Sequence, residues 1–268
     1  MEIVLARDDD KRYANQLHMM EWIKESLLLI PAFNEEAALG PLLDEVTTLY
    51  PDLNVAVIND CSDDFTAPLA RAHGAQVLNL PCNLGVGGSM QAGFEYACVH
   101  GYRYAIRCDG DGQHPPAEIP KLAAALQANS ADVVIGSRFL GQNAYTSTRW
   151  RNLGIAGLAA LLSYACRQRI TDPTSGFQMI NRPALHFFSK TYPADYPEPE
   201  SLALLTRQGY RVCETSVDFR ARQGGHSSIG KRAALFYAMK VTLALLVDRA
   251  RAVDPRFNRQ NIREPLAP

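Results

Sequence analysis

The chain has 268 residues, of which 47% are apolar and 21% are charged, and this balance is typical of an ordinary globular protein rather than a disordered one. Its formal net charge of −1 provides no general attraction to nucleic acid, so we predict no nucleic-acid partner. Its six cysteines are scattered without CxxC spacing, which favours a reducing compartment over a disulfide scaffold or a zinc site.

The first 24 residues have the composition of an N-terminal appendage. Residues 1–10 contain too short an apolar stretch and too many acids for a signal peptide, so we expect a cytoplasmic protein. Peripheral contact with the inner face of the plasma membrane stays open as an alternative. Two later apolar segments, 150–167 and 235–247, have basic residues near their ends, although core packing is the commoner role of such helices.

Short apolar runs alternate with longer helical patterns in the first half of the chain. The predicted strands, rich in Val, Ile and Leu, are 27–30, 54–58, 76–80, 102–108 and 132–135. The predicted helices between them are 35–49, 65–73, 88–100 and 117–128. This alternation predicts an α/β fold with a mostly parallel, Rossmann-like sheet and helices on both faces, whose ligands bind beyond the carboxyl ends of the strands.

The second half of the chain is more mixed. It contains predicted helices at 150–167, 200–208 and 231–253, and predicted strands at 175–180 and 211–219. The most apolar stretch, 233–247, is interrupted by Lys240 and falls short of the ~20 residues that span a bilayer. We therefore expect no transmembrane helix.

Two carboxylates, Asp109 and Asp111, follow the predicted strand 102–108. Side chains at positions i and i+2 of an extended chain point to the same face, and the neighbouring glycines permit a turn that exposes both acids. Mg²⁺ or Mn²⁺ usually binds one or two carboxylates together with substrate phosphates, and Gln113 offers a further neutral oxygen. The motif indicates a divalent-metal site for a phosphate-bearing substrate, although an isolated Asp-x-Asp is usually a simple turn.

Polar clusters also follow the earlier strands. Asn34 and Glu35 are placed to meet the polar edge of a ligand, although helix capping explains them equally well. Asp60 is suited to accept a hydrogen bond from a base imide or a ribose hydroxyl. The run from Asn83 to Gly88 is a glycine-rich turn before a helix, but it is neither a dinucleotide fingerprint nor a P-loop, so it is weak evidence for phosphate binding.

Taken in order, these motifs resemble those of the family 2 glycosyltransferases, whose nucleotide-sugar-binding fold is called GT-A. The likeness is greatest to the polyprenol-phosphate sugar transferases and related bacterial polysaccharide enzymes. The matching stretches, each given with the number of its first residue, are IPAFNEE (30), ND (59), DGDGQ (109), GSRF (136), DPTSGF (172) and RQGGHSS (222). The resemblance implies a GT-A catalytic domain over 25–230 with a mixed acceptor half. Beyond it, the residue pattern predicts a C-terminal apolar helix and polar tail over 231–268.

The resemblance also implies roles for individual residues. A UDP- or GDP-linked sugar would be held by Pro31, Ala32, Asn34, Glu35, Asp60, Asn83, Gly87, Asp109, Gly110 and Arg222. The metal would be held by Asp111 as the principal ligand, with Asp109 and Gln113. The acceptor side would comprise Arg138, Arg149, Arg151, Asp172, Ser175 and Gly176. Physical reasoning supports the role of Arg222, because a guanidinium stabilises the negative charge that grows on a departing diphosphate.

The nature of the acceptor stays open. A sugar hydroxyl needs a general base, for which Glu198 and Glu200 are candidates, whereas a lipid phosphate is already an anion and needs only cations to bind it. The arginines favour a metal-dependent, inverting transfer to polyprenyl phosphate or another lipid-linked acceptor. The alternatives are transfer to a sugar hydroxyl in polysaccharide or O-antigen synthesis, a nucleotidyltransferase, and a non-catalytic nucleotide-sugar sensor.

Overall fold

The computed structural model describes residues 22–141, 149–195, 197–220, 240–243 and 254–261, and only the backbone of 149–153. These residues form one sheet with helices on both faces. The strands are β1 Ser26–Ala32, β2 Asn54–Asn59, β3 Gln76–Asn79, β4 Tyr104–Arg107, β5 Val133–Ser137, β6 Gln178–Asn181 and β7 Val212–Ser216. The helices are α1 Glu36–Leu49, α2 Thr66–Ala72, α3 Gly85–Val99, α4 Ile119–Ala128, α5 Arg149–Cys166, α6 Arg182–Lys190 and α7 Pro197–Arg207.

The strand order is β3-β2-β1-β4-β6-β5-β7, and every neighbouring pair is parallel except those that involve β6. This arrangement confirms the predicted α/β fold with a mostly parallel sheet. Because β6 runs antiparallel between β4 and β5, it starts at the edge where those two strands end. Gln178, its first residue, pairs with Arg107 in β4 and Ile135 in β5. The segment just before β6 therefore lies beside the residues that follow β4.

Both faces of the central strand β1 are buried, as expected for a parallel sheet covered by helices. Leu27 and Leu29 pack on one side with Phe94 of α3, and Leu28 and Ile30 pack on the other side with residues of α1. All four β1 side chains are fully buried. The near-continuous apolar run that predicted the strand therefore reflects two cores, one on each side of the sheet.

Helix α6 is not among the predicted elements. Its local signals are nevertheless present: the Asn181 side chain accepts a hydrogen bond from the Ala184 N–H (3.1 Å), and Pro183 lies in the first turn, where its missing N–H costs nothing. The helix packs on α3, and the rings of Phe94 and Phe188 stack 5.3 Å apart. Helix α7 likewise begins at Pro197 rather than at 200, because prolines are tolerated in a first helical turn.

The ends of the described chain are more closely attached to the domain than their composition predicts. Trp22, within the predicted appendage over 1–24, is only 5% exposed and belongs to the core that also contains residues of α1. At the other end, the Phe257 ring packs 5.7 Å from the Phe187 ring, and Arg259 Nε donates to Asp132 Oδ1 over 2.8 Å. These contacts join distant parts of the chain, so local composition does not reveal them.

The predicted helix 231–253 lies mostly outside the described residues. Its described part, 240–243, is helical, and Val241 is fully buried in the core that contains Phe94. Among the described residues, we find no helix with the length and apolar character to cross a membrane.

Asp132 connects the C-terminal segment to the sheet, so its removal tests that attachment. Its buried carboxylate accepts hydrogen bonds from Arg259 Nε (2.8 Å), Asn181 Nδ2 (2.8 Å) and the Arg211 N–H (2.9 Å). We expect Asp132→Ala to lower the free energy of unfolding by roughly 2–3 kcal/mol, because these donors lose their acceptor. Urea denaturation measures the change. The exposed acid Asp52 is the control, and similar losses in Asp52→Ala and Asp132→Ala would contradict this role.

Candidate active site

The loops after β1 and β2 are hydrogen-bonded to each other. Asn34 Oδ1 accepts from the Asp63 N–H (2.9 Å), and the Asn34 N–H donates to Ser62 Oγ (3.1 Å). The Glu35 N–H donates to Thr66 Oγ1 (2.9 Å). Asn34 has the left-handed backbone conformation, with φ 55°, which asparagine tolerates better than most residues. Asn34 and Glu35 therefore join the loops by direct contacts, which the sequence does not reveal.

Asp60 joins the next loop in the same way. Its two carboxylate oxygens accept from the Leu84 N–H (2.7 Å) and the Gly85 N–H (2.9 Å), and the residue is only 4% exposed. Asn83 Oδ1 also accepts from the Gly85 N–H, over 3.1 Å. The carboxylate predicted to bind a nucleoside thus has backbone amides as its immediate partners and holds the glycine-rich turn to the end of β2. Each of its oxygens can accept a second hydrogen bond from a ligand.

Gly87, in the first turn of α3, was predicted as part of a phosphate-binding turn. Its environment gives a different reason for glycine, because a Cβ at this position would overlap the backbone oxygens of Pro193 and Ala194. The close approach of that segment to α3 is what requires the missing side chain. The 193–194 segment in turn leads into α7.

The metal motif lies at the end of β4, but its two acids differ in exposure. The Asp109 side chain is 34% exposed, whereas Asp111 is only 5% exposed and accepts a hydrogen bond from the Gln113 N–H (3.0 Å). The prediction that the turn exposes both carboxylates is therefore wrong for Asp111. Gly112 has φ 75°, which explains the glycine at that position.

The burial of Asp111 follows from what covers its turn. Gly110 lies against the end of β1, so that a Cβ there would be 3.3 Å from the Pro31 carbonyl oxygen and 3.7 Å from the Ala32 Cβ. On another side, the Arg220 N–H donates to the Gln113 carbonyl over 3.0 Å. Both contacts come from segments remote in sequence.

Arg107 is the last residue of β4, and its side chain is only 2% exposed. Its Nε and one terminal nitrogen donate to Asp109 Oδ1 (3.3 and 3.2 Å), and the same terminal nitrogen donates to Glu198 Oε1 (2.6 Å). The other terminal nitrogen donates to the Tyr192 hydroxyl (3.4 Å). Burial alone would lower the pKa of Arg107, but the two carboxylates outweigh it and raise the pKa, so the guanidinium stays charged.

His114 holds Asp109 from a second direction. Its Nδ1 accepts from the Asp109 N–H over 2.9 Å, and its ring stacks on Phe177 with centroids 5.1 Å apart. Burial lowers the pKa of His114, so the ring is neutral at neutral pH and carries its proton on Nε2. That nitrogen lies 3.8 Å from Asp109 Oδ2.

The predicted acceptor residues Arg138 and Asp172 form an ion pair with each other. Arg138 Nε and a terminal nitrogen donate to the two Asp172 oxygens, each over 2.7 Å, and the Asp172 side chain is fully buried. Arg138 also donates to Thr174 Oγ1 (2.7 Å), and its guanidinium lies 5.1 Å from the centre of the Phe219 ring. The resemblance placed Arg138 against the acceptor phosphate or the donor, but its immediate partner is Asp172.

Glu214 of β7 binds the backbone that carries Asp172, the acid of this ion pair. It accepts from the Thr171 N–H and the Asp172 N–H, both over 2.8 Å, and from Thr171 Oγ1 (2.9 Å). Burial raises the pKa of Glu214. The backbone that carries Asp172 is therefore fixed to β7.

The loop over 172–177 reaches the metal motif. Ser175 Oγ donates to the Gly136 carbonyl over 2.6 Å, which ties this loop to the end of β5. Gly176 packs on the ion pair at the end of β4, so that a Cβ there would be 2.8 Å from Asp109 Oδ2 and 2.9 Å from an Arg107 nitrogen. The structure therefore brings predicted donor and acceptor residues into contact.

Some predicted residues are not placed. Arg149 and Arg151 begin α5, where only the backbone is described, and Arg222 lies outside the described residues. Glu200 lies in the first turn of α7 and is half-buried.

Two residues of the site were missed as functional candidates. Arg107 carries a charge on the same face of β4 as the buried Ala105, and a charge on a buried strand face requires a partner. That pattern could have indicated Arg107. Tyr192, in contrast, gave no local signal. Burial raises the pKa of Tyr192 to about 12, so its hydroxyl stays neutral and accepts from Arg107.

The oxygen donors at the end of β4 suit a hard divalent cation. Asp109, Asp111 and Gln113 offer two carboxylates and an amide oxygen, the ligand type that Mg²⁺ and Mn²⁺ prefer. Across the described ranges, no three His, Cys, Asp or Glu side chains form a metal-binding group by themselves. Mg²⁺ is usually bound by one or two protein carboxylates, and substrate phosphates complete its coordination.

The fold is that of the GT-A glycosyltransferases. Glucosyl-3-phosphoglycerate synthase from Mycobacterium tuberculosis, solved with Mn²⁺, UDP and glucosyl-3-phosphoglycerate, superposes with a TM-score of 0.64. The match covers 86% of this chain and 81% of that one, at 20% sequence identity. At this identity the likeness establishes the fold alone.

The sequence establishes the family. Residues 28–188, more than half of the chain, match the sequence model of glycosyl transferase family 2, so the chain belongs to that family and is a glycosyltransferase. It is 28% identical to the polyprenol monophosphomannose synthase of Mycolicibacterium smegmatis, with 86% of this chain and 91% of that protein covered. It is also 28% identical to the undecaprenyl-phosphate mannosyltransferase of Micrococcus luteus, with 76% and 86% covered. The family resemblance is confirmed.

The contact of Gly176 with the Asp109 carboxylate can be tested by adding one methyl group. We expect Gly176→Ala to lower sugar transfer by about 10–10² fold, because displacing a site group by up to an ångström has a cost of that order. Steady-state transfer from a labelled nucleotide sugar measures the loss. Gly157, exposed on α5 with open space around its Cβ position, is the matched control. Equal rates for Gly176→Ala and Gly157→Ala would show that the contact is unimportant.

Proposed function

We propose that this glycosyltransferase moves a hexosyl group from a UDP- or GDP-linked sugar to the phosphate of a polyprenyl phosphate, with the aid of Mg²⁺ or Mn²⁺ and with inversion at the sugar carbon. The observation that carries the acceptor assignment is the 2.6 Å contact between Glu198 and the buried Arg107. Glu198, one of the two candidate bases, is therefore already engaged by a group of the protein. A lipid phosphate needs no base, because it is already an anion.

The names of the curated relatives support the same acceptor. The two relatives described above are a polyprenol monophosphomannose synthase and an undecaprenyl-phosphate mannosyltransferase. A dolichyl-phosphate hexose transferase of Haloferax volcanii is 27% identical over 80% of this chain. Their shared acceptor chemistry is a long isoprenoid phosphate, and we extend it to this chain. Such an acceptor would place the enzyme at the cytoplasmic face of a membrane.

On the donor side, we assign the nucleoside to the carboxyl end of β1, which contains Pro31, and to the hydrogen-bonded loops after β1, β2 and β3, which include Glu35 and Asp60. These loops are fixed to one another before substrate arrives, so they provide a preorganised surface. Asp109, Asp111 and Gln113 would hold the metal ion, which neutralises charge on the leaving diphosphate when it is bound. Arg222, outside the described residues, is proposed to contact the same diphosphate.

On the acceptor side, the phosphate oxygen attacks the sugar carbon from the face opposite the diphosphate, which inverts its configuration. We propose that Arg138, held by Asp172, supplies positive potential to the incoming phosphate, and that Arg149 and Arg151 at the start of α5 add to it. Ser175 and Gly176 keep the loop that carries Asp172 against Asp109.

The assignment is tested by offering the enzyme labelled UDP- and GDP-hexoses with matched acceptors. We expect transfer to a polyprenyl phosphate and none to the corresponding polyprenol, which has the same chain but a hydroxyl in place of the phosphate. Organic extraction followed by counting of the label measures the product. Preferential transfer to the polyprenol or to a saccharide would overturn the phosphate assignment.

Metal dependence is tested with Asp111. Because Asp111 Oδ1 accepts from the Gln113 N–H, Asp111→Asn keeps the shape and this hydrogen bond but removes the charge that would bind the cation. We expect transfer to fall by about 10²–10³ fold, and to vanish with a chelator. Rates at increasing Mn²⁺ concentrations measure the effect. The exposed Asp52, which precedes β2, is the control, and full activity of Asp111→Asn without added metal would contradict the mechanism.

Glu200 remains the base candidate of the alternative reaction, transfer to a sugar hydroxyl. If the acceptor is a phosphate, we expect Glu200→Gln to lower the rate by less than about tenfold, whereas loss of a general base costs about 10²–10⁴ fold. The measurement is transfer at saturating donor, with nucleotide binding as a check that the fold is kept. A loss in the larger range would favour the hydroxyl acceptor.

A further inference from the structure

We propose that Arg107 is a positioning residue, which fixes the Asp109 carboxylate for the metal-bound donor and uses Glu198 of α7 as its second anchor. The inference rests on the donor site of the proposed function. It assigns Glu198 to a role other than that of a base.

The contacts of Asp109 leave its carboxylate little freedom. Arg107 donates twice to Oδ1, at 3.3 and 3.2 Å, while His114 accepts from the Asp109 N–H at 2.9 Å. Gly176 packs against both carboxylate oxygens, where even a methyl group would approach within 3 Å. The Asp109 side chain is nevertheless 34% exposed. Its contacts with Arg107 and Gly176 therefore restrain it without burying it.

Fold stability alone does not explain a charge at this position. Arg107 lies on a buried strand face beside Ala105, and its side chain is only 2% exposed. Apolar residues of similar volume are often at least as stabilising as a buried ion pair, because they avoid the desolvation of both charges. Arg107 offers instead a rigid planar group with several donors, which can orient two carboxylates together.

Glu198 provides the fixed point for that orientation. It lies in the first turn of α7, and the preceding 193–194 segment packs so tightly on α3 that Gly87 has no room for a side chain. Arg107 therefore connects Asp109 to a helix start whose position is set by the packing of other elements. The Tyr192 hydroxyl adds a third contact to the guanidinium, at 3.4 Å.

The test separates positioning from stability by comparing single and double variants. The variants are Arg107→Met, Arg107→Lys, Glu198→Gln and the double variant Arg107→Met with Glu198→Gln. For each, urea denaturation gives the midpoint of unfolding, and titration calorimetry gives the affinity for UDP and for GDP in the presence of Mn²⁺. The control is Arg103→Met, which removes an exposed ion pair with Glu25 (3.1 Å) before the same strand.

We expect Arg107→Met to lower both the unfolding midpoint and the affinity for the Mn²⁺–nucleotide, the latter by about 10–10² fold, the usual effect of losing a residue that orients a metal ligand. The double variant should regain most of the lost midpoint, because no carboxylate is left at position 198, but the affinity should stay low because Asp109 is still not held. Arg107→Lys should bind with intermediate affinity, since it keeps the charge but loses the planar group. Arg103→Met should bind as the unmodified chain does.

Two results would overturn the inference. One is recovery of nucleotide affinity together with stability in the double variant, which would make Arg107 a structural ion pair only. The other is unchanged affinity in Arg107→Met. Because these measurements require no acceptor, failure of transfer to polyprenyl phosphate leaves them interpretable. Failure of the unmodified chain to bind either nucleotide with Mn²⁺ would instead reject the donor site itself.

Discussion

A guanidinium can be buried only if anions compensate its charge. Arg107, at the end of β4, is such a buried guanidinium. The elements around the site are arranged to meet this requirement. Asp109 supplies one carboxylate from the turn after β4, and α7 supplies the other from its first turn, at Glu198. Gly176 permits the loop before β6 to close over the pair. The predicted metal motif and the loop over 172–177 therefore meet at one ion pair.

Several polar residues at the carboxyl edge of the sheet, which were predicted to bind substrate, make hydrogen bonds to other protein groups. Asn34 binds the loop after β2, Asp60 binds the turn before α3, and Arg138 binds Asp172. These contacts fix loops that would otherwise lose conformational freedom when substrate binds. A surface ordered in advance is also what electrostatic stabilisation of a transition state requires. We infer that several motif residues contribute by holding the site together.

The sequence predicted strands such as β1 and β5 well because they are short apolar runs, buried on both faces and bounded by turn residues. It indicated a candidate site at the carboxyl edge of the sheet because polar clusters follow those strands. It did not predict which groups would pair, since the partners of Asp60, Arg138 and Glu198 come from distant segments. The prediction that Asp111 is exposed was wrong because residues after β7, which are distant in sequence, contact its turn. Arg107 was missed, although alternation along β4 places its charge on a buried face and could have indicated it.

The pairing of acids with arginines also bears on the proposed reaction. A transferase that brings a lipid phosphate to a nucleoside diphosphate must hold two anions close together, and uncompensated carboxylates nearby would repel both. In the described part of the site, Asp109 and Glu198 share Arg107, while Asp172 is paired with Arg138. A hydroxyl acceptor would favour the opposite arrangement, with a carboxylate kept apart from cations so that it can take a proton. The observed pairing is therefore better suited to an anionic acceptor.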